Sequence, residues 1–107
     1  MQHFVHSHKI LSIKDTLDYP IINHLDEAIA WIHQHRKDKY NVLVHCHAGV
    51  SRSATIVIAY LIRTKNMNPG QALDYVRSKR ERAKPNFNFW NQINEYYNFW
   101  LNASQNA

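Results

Sequence analysis

A chain of 107 residues, 45% of them hydrophobic, is long enough for one domain and apolar enough for a core, so neither a multidomain protein nor a disordered segment is expected. Only 2 Gly and 3 Pro exclude collagen-like and low-complexity sequence, and no run approaches the roughly 18 to 20 apolar residues that a membrane span requires. The 13 Lys and Arg against 8 Asp and Glu give a net charge of +5, which favours an anionic partner without separating nucleic acid from phosphoprotein or acidic membrane.

The opening residues, Met1 to Lys9, carry neither an apolar stretch of signal-peptide length nor a small-residue cleavage site, so the cytoplasm or nucleus is the expected compartment. Lys9–Lys14 is a short, mostly apolar and β-branched run of strand length that stops at the turn-forming Asp15-Thr16. Asp18-Tyr19-Pro20 reads as a helix entrance capped by Asp18, after which Ile22, Leu25, Ile29 and Ile32 recur at helical spacing up to the basic end at His35-Arg36. Asn41–His45 is a second compact strand.

Strand, helix, strand implies two parallel strands joined by a right-handed crossover, with both carboxyl ends on the same sheet edge. Asp15 and Cys46 then meet at the edge where open parallel sheets hold their ligands. The expected class is α/β, a parallel or mostly parallel sheet flanked by helices.

An apolar stripe of Ala54, Val57, Ile58, Leu61 and Ile62 predicts a helix from near Arg52 to just before Asn66. The next helix is signalled by Asn68 as cap, Pro69 in first position and Gln71 as capping-box partner, with Ala72, Leu73 and Val76 on its buried face. It should end near the cluster Arg77, Lys79, Arg80, Arg82 and Lys84, read as a solvated helix end. Pro85-Asn86 interrupts, and Phe89, Ile93, Tyr96, Tyr97, Trp100 and Leu101 form a last helix, with residues 102–107 expected to fray. No internal repeat is visible.

The chemistry concentrates in the segment from Val44 to Ser53, where a strand's end passes into a helix's beginning. A loop in that place turns backbone N–H groups inward, and the helix adds its unpaired N–H groups and positive dipole end, which together bind a tetrahedral oxyanion. Gly49 permits unusual backbone angles, and Arg52 can present two parallel donors to phosphate oxygens. Cys46, the single cysteine, could be an inert thiol, an intermolecular partner or a nucleophile, and this setting selects the nucleophile. Helix N-termini and nearby cations lower thiol pKa values to about 3.5 to 7.5, so a thiolate is expected at neutral pH. Asp15 is placed to protonate the leaving oxygen and then activate water, and Ser53 to hydrogen-bond the departing sulfur.

Cys46 through Arg52 matches Cys-x5-Arg, and His45-Cys46-His47-Ala48-Gly49-Val50-Ser51-Arg52-Ser53-Ala54-Thr55 resembles the signature loop of the dual-specificity protein phosphatases. The resemblance runs from about Lys9 to Trp100, including Ile13-Lys14-Asp15, similar to the family's acid loop, and Lys84-Pro85-Asn86-Phe87-Asn88-Phe89, similar to its Pro-Asn-x-x-Phe segment. It implies one catalytic domain over residues 1–107 that hydrolyses phosphotyrosine and phosphoserine or phosphothreonine in proteins through a phosphocysteine, with no cofactor and no metal. Cys46, Arg52, Asp15 and Ser53 would be catalytic, and His47, Ala48, Gly49, Val50, Ser51 and Arg52 would bind the phosphate. His45 would tune the thiol, and Asn86 would brace the loop. The absence of lysines from the loop lowers a phosphoinositide reading, and Ser51-Arg52-Ser53 departs from the Asn-Arg-Thr of the family's RNA triphosphatases.

The family's domain normally has further strands ahead of the acid-bearing one, where this chain has only about eight residues. A shortened sheet, a strand from His3 to Ser7, or dimerisation through an exposed sheet edge would each answer this. The alternative function is a phosphate-binding module that has lost turnover. The pairs His6/His8, His33/His35 and His45/His47 do not predict a metal, because ligands two apart on a helix point to different faces. Trp90, Tyr96, Tyr97 and Trp100 read as core rather than a base-stacking platform, so no nucleic-acid partner is expected.

Overall fold

The computed structural model describes residues 9–46 and 51–105. Four helices dominate them: α1 (Ile22–Lys37), α2 (Arg52–Lys65), α3 (Pro69–Lys79) and α4 (Phe87–Gln105). Each follows an apolar stripe. In α1, Leu25, Ala28, Ile29 and Ile32 are buried, and His35, Arg36 and Lys37 sit at the negative end of the helix dipole. Helix α2 stops at Asn66, whose left-handed φ of 56° is one that asparagine tolerates.

Helix α3 starts as its sequence signals. Gln71 N–H donates to Asn68 Oδ1 at 2.8 Å, Asn68 N–H donates to Gln71 Oε1 at 3.0 Å, and Pro69 occupies the first position. Asn68 is exposed and serves only this end, so Asn68→Ala should cost about 1 kcal/mol of stability in chemical denaturation with an unchanged slope. A variant as stable as the wild type would show that α3 is held by packing alone.

Two expectations at helix ends are corrected. Asp18 does not cap α1: its carboxylate accepts from Thr16 Oγ1 at 2.8 Å, while the first helical amide, Ile22 N–H, donates to Gln92 Oε1 of α4 at 2.9 Å. Nor does the last helix fray after Leu101. It continues to Gln105, because Asn-Ala-Ser-Gln contains no glycine or proline to stop it.

The buried side chains form two clusters with α2 as their shared wall. One gathers Leu25, Ala28, Ile29 and Ile32 with Ile13, Ile21, Ile56, Ala59, Phe89 and Tyr96. The other joins Ala54, Ile58, Leu61 and Ile62 to Ala72, Val76, Ala83 and Ile93. A polar clasp closes α1, α2 and α4 over the first: Tyr96 Oη donates to Asp26 Oδ1 at 2.7 Å, and Arg63 donates to both while stacking 3.5 Å over the Trp100 ring. Burial, reinforced by the bond to Asp26, pushes the Tyr96 hydroxyl to about 12, so it stays a donor at physiological pH.

The two expected strands, Lys9–Lys14 and Asn41–His45, carry no strand assignment, and no strand occurs among the described residues. A strand needs a hydrogen-bonded neighbour as well as the right residues. No backbone bond joins these segments among the described residues, and Ile13 N–H turns back to Leu11 C=O at 3.1 Å. The side chains nevertheless keep an inward and outward alternation: Val42 and Val44 pack on the first cluster while Leu43, between them, is 83% exposed. The parallel sheet is therefore not formed within the described residues. Of the residues expected to line the phosphate loop, His47, Ala48, Gly49 and Val50 lie outside the described residues.

Candidate active site

The extended run 41–46 delivers Cys46 to the N-terminus of α2. Ser53 N–H, one of the helix's unpaired first-turn donors, points at Cys46 Sγ from 3.4 Å, and the Ser53 hydroxyl lies 3.4 Å from the same sulfur. Ser53 is buried and Cys46 half-buried, so the sulfur meets a helix dipole end with little water between.

Arg52 begins the helix and reaches across to the acid-bearing segment, where its Nη1 donates to Ile13 C=O at 3.1 Å. Its Nε–H is buried and has no partner among the described residues. A buried, unsatisfied guanidinium donor beside a helix N-terminus is one that an anion could satisfy.

Ser51 is buried too, and its carbonyl and hydroxyl are engaged. Its carbonyl accepts from Thr55 N–H and Thr55 Oγ1 at 3.0 and 2.8 Å, and its hydroxyl accepts from Asn86 N–H at 2.9 Å. Asn86 then turns its side chain toward the acid segment: Nδ2 donates to Asp15 Oδ1 at 2.7 Å and to Thr16 C=O at 3.2 Å, while Oδ1 caps α4 by accepting from Phe89 N–H at 2.8 Å. Asp15 and the helix bearing Arg52 and Ser53 are thus linked through one asparagine. The Asp15 carboxylate is exposed to incoming solutes.

Chemically the arrangement offers a sulfur at the positive end of a helix dipole, a planar guanidinium donor, a hydroxyl beside the sulfur and a solvent-facing carboxylate on a tethered loop. These are the parts needed for displacement at a tetrahedral phosphorus. A profile of the dual specificity phosphatase catalytic domain matches residues 2–99. The chain belongs to this family. Dual specificity protein phosphatase 5 of Homo sapiens is 39% identical over 99 residues, 92% of this chain and 26% of the relative. A crystal structure of DUSP15 superposes with a TM-score of 0.81 at 34% identity, covering 91% of this chain and 64% of that one. The human tyrosine phosphatase-like serine/threonine/tyrosine-interacting protein gives 0.83 at 36% identity, over 85% of this chain and 60% of that one. The overall fold is that of the dual specificity phosphatases, and the chain spans about a quarter of the length of the curated relatives it first matches.

Other positions of this phosphatase domain stand apart from the cluster. His45 is exposed, and its imidazole makes no hydrogen bond among the described residues. The basic cluster at the end of α3 is partly structural: Arg77 Nε donates to Ala83 C=O at 3.0 Å, and the Lys79 ammonium sits 5.7 Å over the Tyr75 ring. Among the described residues no group of three or more His, Cys, Asp or Glu could hold a metal ion, and no helix is long and apolar enough to cross a membrane. Sequence reasoning passed over Asn88 and Gln92, which bind the acid-bearing segment from α4. Two carboxamides four residues apart in the first turns of an apolar helix are the signal that could have found them.

Proposed function

We propose that the protein hydrolyses phosphate monoesters of phosphotyrosine and of phosphoserine or phosphothreonine in proteins, through a phosphocysteine, with residues 1–107 forming one catalytic domain. The observation that carries this reading is the Ser53 N–H aimed at Cys46 Sγ, with the unpartnered Nε–H of Arg52 on the adjoining residue. The Cys46 thiolate attacks phosphorus in line. The S–P bond forms as the ester P–O bond breaks, and Asp15 gives its proton to the departing oxygen. In the second step Asp15 takes a proton from water, the water oxygen bonds to phosphorus, and the P–S bond breaks. The returning negative charge on sulfur is met by the Ser53 hydroxyl and N–H. Arg52 holds the equatorial oxygens in both steps, with backbone N–H groups of His47, Ala48, Gly49, Val50 and Ser51 as its partners.

The parallel sheet belongs to the same proposal. The segments 9–14 and 41–45 take the positions of neighbouring strands, a reading supported by Leu11, Val42 and Val44 packing on one cluster. The 84% and 83% exposure of Ile10 and Leu43 leaves the face away from the cluster uncovered, which supports packing of a further element there, from this molecule or a second copy.

The test is phosphate release from an aryl phosphate and from phosphopeptides with chelator present. Turnover by the wild type supports the proposal, and a folded wild type that binds phosphate without turning over would leave a binding module. Asp15→Asn separates the steps. It should slow phosphoserine peptides, whose alkoxide leaves poorly, by about 10²- to 10⁴-fold, and activated aryl phosphates by under about tenfold. Equal losses on both substrates would move the acid elsewhere.

A further inference from the structure

The segment that carries Asp15 has neither helix nor strand to fix it, and Thr16, Leu17 and Asp18 are all exposed. Its upstream flank is tied by Arg52 on Ile13 C=O, and Tyr19 Oη closes the loop by donating to Ser12 C=O at 2.7 Å. Its downstream flank is held by side chains of α4. Asn88 Nδ2 donates to Tyr19 C=O at 2.9 Å and to Thr16 C=O at 3.4 Å. Gln92 Nε2 donates to the same Tyr19 carbonyl at 2.8 Å and to Asn88 Oδ1 at 2.8 Å. The Gln92 carbonyl oxygen takes Ile22 N–H at 2.9 Å, so its carboxamide is used at both ends.

We propose that Asn88 and Gln92 are positioning residues for the general acid: a carboxamide pair on α4 that holds residues 16–22 and thereby sets where the Asp15 carboxylate stands. The geometry favours this over mere packing, for three reasons. Four bonds from two side chains converge on residues 16–22. The two carboxamides orient each other, which fixes their donor and acceptor ends. The same segment is the one that Asn86 grips at Asp15 itself, so a shift of the Thr16 or Tyr19 carbonyl would carry Asp15 with it. Proton transfer demands placement within hydrogen-bonding reach of the leaving oxygen, and displacements near 1 Å can cost about 10²-fold.

The inference rests on Asp15 being the acid, and the test keeps the two questions apart. Asn88→Ala and Gln92→Met remove the bonds without adding charge, and alanine and methionine are good helix formers. Each is measured on a phosphoserine peptide and on an activated aryl phosphate, alone and combined with Asp15→Asn. The expected result is a fall in kcat of about tenfold to 10²-fold on the peptide, little change on the aryl phosphate and an unchanged KM. In the Asp15→Asn background the further loss should vanish, since no acid is left to misplace. Amide hydrogen exchange read in the same proteins should quicken over residues 16–22 and stay unchanged in α2 and α3. Exposed Asn91, on the same helix, serves as control, with Asn91→Ala showing no such pattern.

Equal losses on both substrates, or the same loss with and without Asp15, would reduce Asn88 and Gln92 to a structural role and overturn the proposal. So would unaltered kinetics. If Asp15→Asn alone showed no dependence on leaving group, the assignment of the acid would fail first and take this inference with it.

Discussion

Cys46→Ser is expected to abolish turnover while leaving phosphate binding intact. Nucleophile removal in covalent hydrolases costs on the order of 10⁴-fold or more in kcat. The physical cause lies in the atom that Ser53 faces: a thiol gives up its proton far more readily than a hydroxyl, which stays protonated and attacks phosphorus poorly. The proposed binding elements, Arg52 and the first amides of α2, are untouched by the change. Calorimetric titration with a phosphotyrosine peptide should therefore give a Kd within a few-fold of the wild type's. Residual turnover near the wild-type rate would rule out the phosphocysteine route.

Arg52→Lys should lower kcat/KM by about 10²- to 10³-fold, the scale of losing one aligned donor to transition-state charge. Arg52 does two things at once: Nη1 is occupied by Ile13 C=O, and Nε–H is buried without a partner among the described residues. A lysine ammonium is a single point charge and cannot keep the Ile13 carbonyl while presenting a second directed donor to an anion. The buried Nε–H also carries a desolvation cost of roughly 1 to 3 kcal/mol until something accepts from it. An oxyanion that does so should raise the Tm of the wild type more than that of the variant. Equal kcat/KM in the two proteins, with equal shifts in Tm, would remove Arg52 from the phosphate site.

The helices were legible because their causes are local. Leu25, Ile29 and Ile32 mark a face through spacing, and Asn68, Pro69 and Gln71 announce a helix start within four residues. What escaped depended on partners far along the chain. Asp18 looked like the cap of α1, but the acceptor for Ile22 N–H is Gln92, 70 residues away. The β-branched runs at 9–14 and 41–45 report extended chain, whereas a strand is a property of a pair, and pairing leaves no mark in either run alone. The site divides along the same line. Cys46, Arg52 and Ser53 are visible because they lie within eight positions of one another in a recognisable loop. The bonds from Asn86 to Asp15, and from Asn88 and Gln92 to Tyr19, span about 70 residues and join polar residues of types common in any loop or helix.

Helix α2 is buried on two sides, between one cluster that takes Ile56 and Ala59 and another that takes Ala54, Ile58, Leu61 and Ile62. A helix packed on both faces is braced against rocking while, in the proposed reaction, charge moves from sulfur to phosphate oxygens and back. In water, solvent dipoles must turn to follow that charge, and this reorganisation is a large part of the barrier. Here the Ser53 amide already points at the sulfur before the substrate arrives, and the core that fixes it was ordered during folding. In the proposed reaction the energy needed to align these dipoles is thus supplied once, when the chain folds, and not at each turnover.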